Sequence, residues 1–226
     1  MTDTEAKERP ILFSAPMVRA LLAGTKTQTR RIVKGAPRLI TPFIGADDKP
    51  THEFGLHFTH ERVINKHVRC PYGAPGDRLW VRETWRFNWA SGEGSEVEYR
   101  ADAAKHIWPV NAKESKFLDG GAKWKPSIFL QRQFSRLALE VTGIRVERLQ
   151  EITEIDAKAE GVQGVALRDG GKGWRNYVIE RESSGINSTF RTARDSYESL
   201  WESINGADSW AGNPWVWVVS FGAVKP

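Results

Sequence analysis

The 226-residue sequence predicts one α+β domain made mainly of short strands, with a few helices and long loop insertions. Five segments have the length and apolar or alternating pattern of strands, and turn residues bound them. Three segments have the apolar spacing and end residues of helices. Neither a repeat nor a linker separates two cores, and this length can form one sizeable core. Many short strands in one domain favour a β-barrel that carries loops.

The N-terminal part predicts a tail, a strand and a helix. Residues 1–9 are polar, so we expect a flexible tail. The apolar segment PILFS, residues 10–14, predicts the first strand. Residues 14–24 predict a helix, because Ser14 can cap its start, an early proline suits its first turn, and Gly24 can end it.

The next strand, residues 27–33, is unusually polar for a segment that follows a helix-ending glycine. Its alternation predicts that four residues share one side: Thr27, Thr29, Arg31 and Val33. Lys26 and Thr29 stand out, because an amine beside a hydroxyl is one way to build a base and a nucleophile. Residues three apart on a regular strand face opposite sides, so the turn after Gly24 would have to bring Lys26 to Thr29. An exposed basic hairpin is the alternative interpretation.

The remaining strands are separated by three long segments without clear periodicity. Strands are predicted at 76–85, at 136–152 with a bulge at Gly143, and at 213–224. The irregular segments, rich in glycine and proline turns, predict loop insertions near 34–75, 88–127 and 163–188.

Two further helices are predicted in the C-terminal half. Residues 153–161 form a short helix, because Thr153 and Asp156 resemble a capping box and Gly161 stops it. A longer helix ends before Gly206, and its apolar residues recur at helical spacing: Phe190, Ala193, Tyr197, Leu200, Trp201 and Ile204.

Composition restricts the class of protein and its partners. The net charge of +5 and the pI near 9.4 weakly favour polyanionic partners. The ten tryptophans suit stacking on flat ligands, although core positions are the commoner use. Without a run of about 18 apolar residues or an apolar leader, we expect no membrane span and no secretory signal. One cysteine, Cys70, permits no internal disulfide and fits a reducing cytoplasm.

A histidine-containing segment offers a weak candidate metal site. His57, His60, His67 and Cys70 have an H-x2-H…H-x2-C arrangement that zinc could use. The segment lacks a glycine knuckle, and histidines in a polar loop are more often solvated. We therefore predict no metal and no other cofactor.

Four segments together resemble a known superfamily. They are FSAPMVRALLAGTKTQTRR, GDRLWVRETW, LEVTGIRVERLQEITEIDAKAEG and the terminal WVWVVSF. The combination is similar to the ASCH superfamily, whose fold resembles the PUA barrel, and is closer to the long phage and prophage type with CPYGxPGDRLWVRETW. The similarity covers about residues 10–222 and implies a single PUA-like domain over 10–226.

The resemblance also implies an activity. Small ASCH relatives remove the acetyl group from N4-acetylcytidine, with lysine and threonine from G-x-K-x-x-T and glutamate from T-E-x-x-A-x-x-E. Here GTKTQT and TEIDAKAE place these residues at Lys26, Thr29 and Glu160, and the arginine after the first motif corresponds best to Arg31. The relatives are much shorter than this chain and lack counterparts of the three insertions.

Further substrate contacts are predicted from aromatic and charged residues near the second motif. Trp85 could stack on a base, and Glu83 could accept a hydrogen bond from an exocyclic amine. The alternative places Trp80 or Trp85 in the core and pairs Glu83 with an arginine. Tyr99 and Lys125 are weaker candidates for the pocket wall or a phosphate contact.

The sequence thus predicts a cytoplasmic amidohydrolase that removes an acyl group from a modified nucleoside or nucleobase. The alternative function is a non-catalytic module that binds RNA or modified nucleotides. A modified nucleoside or nucleic acid is the expected partner, RNA rather than DNA. Nuclease activity is a third option, but no carboxylate cluster supports the metal dependence that it would need.

Overall fold

The computed structural model describes the backbone of residues 6–34, 39–44, 50–57, 66–88, 95–108, 123–167, 170–178 and 189–224. These residues form fourteen strands and three α-helices. The strands are β1 Glu8–Leu12, β2 Gln28–Ile32, β3 Leu39–Ile44, β4 Pro50–His57, β5 Lys66–Arg69, β6 Arg78–Arg82, β7 Trp85–Asn88, β8 Ser95–Tyr99, β9 Lys105–Trp108, β10 Ala138–Arg148, β11 Gly164–Ala166, β12 Lys172–Arg175, β13 Thr189–Phe190 and β14 Trp215–Val224. The helices are α1 Ala15–Leu22, α2 Glu154–Ala159 and α3 Ala193–Asn205. The prediction of an α+β protein composed mainly of strands is confirmed.

The central sheet has five strands in the order β1-β6-β10-β14-β2. β1 and β6 are parallel, and the other neighbours are antiparallel. β1 and β2 form the two edges, and the described strands do not close into a barrel.

The two faces of this sheet bury separate cores because residues alternate along its strands. On β14, Trp217, Val219 and Phe221 pack on one face with Phe13 and α1 residues. Val216 and Val218 pack on the other face with residues of α2 and α3, including Tyr197 and Trp201. The first face is called the Phe13 face below, and the second the Tyr197 face.

Three smaller sheets lie in or near the segments that were predicted as loops. β3, β4 and β5 form one sheet within 34–75, where a long loop was expected. β7, β8 and β9 form a second and bury aromatic residues, and β11, β12 and β13 form a third. Backbone pairing across antiparallel neighbours stabilises these strands although their sequences lack a clear alternating pattern.

Several local predictions are confirmed at the residue level. Helix α1 is followed by Gly24 at φ 68°. The pairing of β10 with β14 shifts register between Val141 and Gly143, as a bulge requires. Thr153 accepts a hydrogen bond from the Asp156 N–H at the start of α2.

Other boundaries differ from the predictions. The expected tail is partly structured, because Glu8 and Arg9 pair with β6. The strand expected at 76–85 divides into β6 and β7. Phe190 lies in β13 rather than in α3, and Ile204 is 56% exposed instead of facing the core. Among the described residues, no helix is long and apolar enough to cross a bilayer.

Asp77 fastens the N-terminal strand to the turn before β6, and this contact predicts a pH dependence. Its carboxylate accepts from the Lys7 N–H at 3.0 Å, the Ala74 N–H at 3.1 Å and Arg9 Nη1 at 2.6 Å. Burial opposes its ionisation, but these donors outweigh burial and lower the pKa of Asp77 below 3.8. A depressed folded pKa stabilises the fold above the unfolded pKa, and this stability is lost as pH falls through the folded pKa.

We therefore expect Asp77→Asn to lower the free energy of unfolding at pH 7 by about 1–2 kcal/mol. The difference from the parent should shrink as pH falls below the ordinary aspartate pKa, because the parent carboxylate is then protonated too. Urea unfolding at several pH values between 3 and 7 measures both curves. Parallel curves across this range would contradict the assignment.

Candidate functional site

The candidate site lies where the start of β2 meets the end of α2. After Gly24 the chain reverses, and Lys26 forms an isolated antiparallel bridge with Glu160. The Thr27 N–H donates to the Ala159 carbonyl at 2.8 Å. Backbone contacts therefore join two segments that are 134 residues apart in sequence.

The Lys26 ammonium is saturated by three acceptors. Nζ donates to the carbonyls of Gln28 and Glu160, both at 2.8 Å, and to Glu160 Oε2 at 2.9 Å. The side chain of Lys26 is fully buried. An ammonium has three hydrogens, so each of them has a partner.

Arg30 holds the other oxygen of the same carboxylate. Arg30 Nη1 lies 3.1 Å from Glu160 Oε1 and donates to Gln28 Oε1 at 2.7 Å. Arg30 Nε donates to Glu147 Oε1 at 3.0 Å, and Nη2 contacts the same oxygen. The Glu160 carboxylate is thus fixed between two buried cations.

The network continues outward to solvent through alternating charges. Arg145 donates to Glu147 Oε2 at 2.8 Å and to Asp156 Oδ1 at 3.0 Å. Side-chain exposure rises from 0% at Arg30 to 43% at Arg145. The ring of Tyr197 lies 5.8 Å from the Arg30 guanidinium carbon, on the side of α3.

Burial and neighbouring charge shift the ionisation of these groups. Burial lowers the pKa of Lys26, with Arg31 and Arg30 adding to the effect and Glu160 opposing it. For Tyr197, burial and the Glu160 carboxylate raise the phenol pKa well above its ordinary value. The neutral amine of Lys26 is therefore easier to reach than that of an exposed lysine.

Thr29 lies on the opposite face of β2 from Arg30. It pairs with Val219, whereas Arg30 pairs with Val218, so Thr29 and Arg31 lie on the Phe13 face. The Phe13 ring is also close to the amine, with Lys26 Nζ 5.5 Å from its centroid. The structure thus brings Lys26 and Glu160 into direct contact, while Thr29 lies on the sheet face that Phe13 covers and, among the described residues, forms no hydrogen bond with Lys26.

The three side chains are closed to solvent in this structure. Lys26 and Glu160 are 2% exposed, and Thr29 is 3% exposed. Arg31 is the partly exposed residue beside them: its Nη2 donates to the Leu12 carbonyl at 2.6 Å, and its guanidinium lies 5.3 Å from the Phe13 ring. Its Nε is buried without a hydrogen-bond partner. The hydrogen bond from Arg31 to the Leu12 carbonyl links the ends of β2 and β1, which are the two edge strands of the central sheet.

The other predicted substrate contacts lie around the β7–β9 sheet. Glu83 is 1% exposed and forms a two-pronged pair with Arg136, at 2.8 and 2.9 Å. Trp85 is 3% exposed and stacks on Phe134. This arrangement matches the alternative interpretation of both residues, and their role in ligand binding stays a prediction from sequence.

Tyr99 and Lys125 are placed close to that aromatic cluster. Tyr99 is fully buried, and its hydroxyl donates to the Phe134 carbonyl at 2.7 Å. Lys125 is half-buried, with Nζ 5.1 Å from the rings of both Trp85 and Phe87. The hydrogen bonds and ring contact that the described residues make with Lys26 and Glu160 involve neither Tyr99 nor Lys125.

The candidate metal ligands fall mostly outside the described side chains. His60 is outside the described residues, and for His57 and His67 the structure describes the backbone alone. Cys70 is buried as a free thiol whose pKa burial raises to about 11. In the part of the chain that the structure describes, no group of three His, Cys, Asp or Glu side chains is arranged to hold a metal.

A separate cavity of about 490 Å³ lies between the start of α1 and the second half of α3. Tyr177, Val178, Leu200 and Ile204 contribute to its wall. None of Lys26, Thr29 and Glu160 lines it, so it is distinct from the candidate site.

The pairing of Arg30 with Glu160 and the part played by Glu147 are features of the site that the sequence interpretation missed. The alternation of residues along β2 could have indicated the role of Arg30, because it places Gln28 and Arg30 on the face opposite Thr29.

Comparison of the chain with protein-family models, curated proteins and solved structures gives no match.

Proposed function

We propose that this chain is an amidohydrolase that removes an acyl group from a modified nucleoside or nucleobase, with Lys26, Thr29 and Glu160 as its reacting groups. The observation that carries the proposal is the direct 2.9 Å contact between Lys26 Nζ and Glu160 Oε2, made by two motifs far apart in sequence. The similarity to the ASCH superfamily supplies the reaction class and a PUA-like fold. The chemistry needs no cofactor, and the cytoplasm is its proposed location.

The ion pair can supply a base and an acid together. Transfer of one proton from Lys26 to Glu160 across their hydrogen bond converts the charged pair into a neutral amine and a carboxylic acid. Burial makes this transfer easier on the side of the amine, because it lowers the pKa of Lys26. The pair holds the same number of protons as before, but Lys26 can now accept a proton and Glu160 can donate one. Amide cleavage requires such a base and such an acid.

The proposed reaction has two steps. Thr29 Oγ attacks the amide carbonyl and gives its proton to Lys26, the C–N bond breaks, and the amine leaves with the proton of Glu160. Water then attacks the acyl-threonine ester, giving one proton to Glu160. Thr29 Oγ leaves with the proton held by Lys26, so the acid is released and the site is restored.

Substrate must reach Thr29 from the side of Arg31. Arg31 shares the strand face of Thr29, is the partly exposed member of the group, and carries a buried Nε that lacks a partner. A carbonyl or phosphate oxygen of the ligand could accept from that Nε. For the substrate to enter, the hydrogen bond from Arg31 to the Leu12 carbonyl must break. The proposed cycle therefore includes the breaking and re-forming of this bond.

The test is hydrolysis of acetylcytidine and related acylated nucleosides, followed by mass spectrometry. We expect Thr29→Val, which keeps the side-chain shape, to reduce kcat by at least about 10³-fold, because a covalent step loses its nucleophile. Thr29→Ser should retain activity. Thr27→Val is the matched control, because Thr27 is exposed in the same segment.

A parent protein that releases no product from any acylated nucleoside would refute the activity. Equal activity of Thr29→Val and parent would refute the assigned nucleophile while leaving hydrolysis in place.

A non-catalytic module that binds RNA or modified nucleotides is the second candidate. It does not need Lys26, Thr29 and Glu160 to react, and the saturation of the Lys26 ammonium and the closure of all three side chains are what a purely structural ion pair would show. In that case Thr29→Val and the parent would bind a modified nucleoside equally, and neither would release the acyl group.

A further inference from the structure

The cavity between the start of α1 and the second half of α3, called the α1–α3 cavity below, has the size of a ligand pocket. Its volume is about 490 Å³, and Tyr177 closes a third side. Pockets that hold small organic ligands have volumes of about 300–1,000 Å³. The α1–α3 cavity can therefore take a molecule of modest size.

The α1–α3 cavity has a buried apolar wall and an exposed apolar rim. Leu200 is 4% exposed, whereas Val178 and Ile204 are each 56% exposed. Pro16, at the start of α1, is exposed on the same cavity. A ligand with a hydrocarbon body would cover these side chains, and removal of their apolar surface from water would favour its binding.

Hydrogen bonds fix the backbone around the cavity. The Tyr177 N–H donates to Ser199 Oγ of α3 at 3.1 Å, and the Tyr177 hydroxyl accepts from the Gln163 N–H at 2.8 Å. At the end of α3 the Gly206 N–H donates to the Glu202 carbonyl at 2.9 Å. The walls are thus held before a ligand arrives, which reduces the entropy lost on binding.

The polar side chains that remain available in the cavity wall can accept hydrogen bonds. Ser203 Oγ already donates to the Leu200 carbonyl at 2.7 Å. Within the described part of the chain, the side chains of Glu202 and Ser14 form neither a hydrogen bond nor an ion pair. A carboxylate can only accept, and a hydroxyl can accept as well as donate. A ligand that donates hydrogen bonds matches these groups.

The charge of the cavity wall favours a cation. Among the described residues that line the cavity, Glu202 alone is charged. Glu198 lies one turn earlier on α3, where burial and the charge of Glu202 raise its pKa. A cation in the cavity would be attracted by Glu202, and an anion would be repelled.

We propose that the α1–α3 cavity binds a small organic amine, whose ammonium group donates to the Glu202 carboxylate and whose hydrocarbon body packs on Val178, Leu200 and Ile204. A neutral alcohol of the same shape would keep the apolar contacts but would lose the stronger, charge-assisted hydrogen bond. An organic acid would place a like charge beside Glu202. The assignment does not depend on the proposed hydrolysis, because Lys26, Thr29 and Glu160 do not line this cavity.

The experiment titrates the isotope-labelled protein with phenylbutylamine at pH 7 and follows its backbone N–H signals by NMR. Phenylbutanol and phenylbutyrate are the matched probes, because they carry the same phenylbutyl group with no charge and with a negative charge. We expect the amine to bind with a Kd on the order of 1 mM and to shift the N–H signals of Val178 and of residues 202–204. The alcohol should bind about tenfold more weakly, and the acid more weakly still.

Two variants of the cavity wall test the charge and the space separately. Glu202→Gln should weaken binding of the amine on the order of tenfold and change binding of the alcohol by less than about twofold, because only the amine uses the charge. Ser203→Phe should weaken binding of both probes at least about tenfold, because the added ring fills part of the cavity. Ser203 is exposed, so the larger side chain does not have to enter the core.

Two variants on the same helix are the matched controls. Glu198→Gln removes a carboxylate of α3, and Asn205→Phe adds a phenyl ring at an exposed position of α3. Neither residue lines the cavity. Both variants should bind the amine within about twofold of the parent, and thermal unfolding of every variant verifies the fold.

Three results would overturn the proposal. One is a titration in which phenylbutylamine shifts none of the signals of the cavity residues. A second is equal binding of the amine and the alcohol, or parent-like binding of the amine by Glu202→Gln, because the ammonium group would then not be recognised. The third is equal weakening by Asn205→Phe and Ser203→Phe, because the amine would then bind outside the cavity.

Discussion

Replacing Lys26 with methionine is expected to lower the free energy of unfolding by about 3–5 kcal/mol, because it leaves buried acceptors without a donor. The two carbonyls and Glu160 Oε2 all receive hydrogen bonds from Nζ in the parent. Methionine fills a similar volume, so a cavity contributes little. In the variant Glu160 still pairs with Arg30, which limits the loss of stability. Urea unfolding at pH 7 measures the change in the free energy of unfolding.

Lys158→Met is the matched control on the neighbouring helix. Its side chain is 50% exposed and pairs with Glu154 at 3.5 Å. Such a surface pair contributes little, so we expect a change within about 0.5 kcal/mol. If Lys26→Met unfolds at the same urea concentration as this control, the buried network does not stabilise the fold.

A double-mutant cycle separates the Lys26–Glu160 contact from general damage. Glu160→Gln removes the charge and keeps the size, and Lys26→Met with Glu160→Gln removes both charges. Groups in direct contact couple, so we expect the double variant to be less destabilised than the sum of the single variants by about 1–3 kcal/mol. Additive losses would contradict a direct energetic contact.

The pH dependence of stability is an independent test of the ionisation of the Lys26 amine. The folded pKa of Lys26 lies below its ordinary value of 10.5, so between those two values the unfolded state binds more protons. The contribution of Lys26 therefore makes stability rise with pH across that window. Lys26→Met should lack this rise, and unfolding curves from pH 7 to pH 10 can show the difference.

Gly161→Ala is expected to lower the free energy of unfolding by about 2–5 kcal/mol, because two penalties add. Gly161 has φ +83°, which disfavours a side chain. A Cβ there would lie 2.8 Å from the Cβ of Ala20 and 2.9 Å from that of Lys26. Relief of these contacts would move the end of α2 away from α1 and from Lys26. We therefore expect Gly161→Ala to reduce any hydrolytic activity as well as stability.

Gly24→Ala separates the backbone penalty from the steric one. Gly24 also has a positive φ, 68°, but a Cβ added at that position would meet no other atom within 4 Å. We therefore expect Gly24→Ala to lower the free energy of unfolding by only about 1–2 kcal/mol. Chemical denaturation of both variants compares the two sites. Equal losses would mean that the contact of Gly161 with Lys26 is not tight.

Local elements were predictable because their causes are local. Capping by Thr153 and the stop at Gly161 depend on backbone groups within a few residues. The strands of β3–β5 were missed because antiparallel partners, rather than their own periodicity, hold them.

Burial of individual side chains was less accessible to sequence reasoning. Ile204 has the spacing of a core residue but lies in the last turn of α3, where its side chain stays exposed. Trp85 and Glu83 have residue types that suit either a ligand or a core. Only packing against Phe134 and pairing with Arg136 distinguish these uses.

By itself, the sequence determined the mainly-strand α+β class, three helices with the glycines that follow them, and the three residue types of the candidate site. The tertiary structure alone decided that Lys26 and Glu160 touch, that Arg30 and Glu147 complete their network, and that Thr29 lies on the other face of β2. The physical reason is the separation along the sequence of the residues that interact. Caps and turns depend on neighbouring residues, whereas a buried ion pair forms only when separate parts of the chain pack and exclude water from both charges.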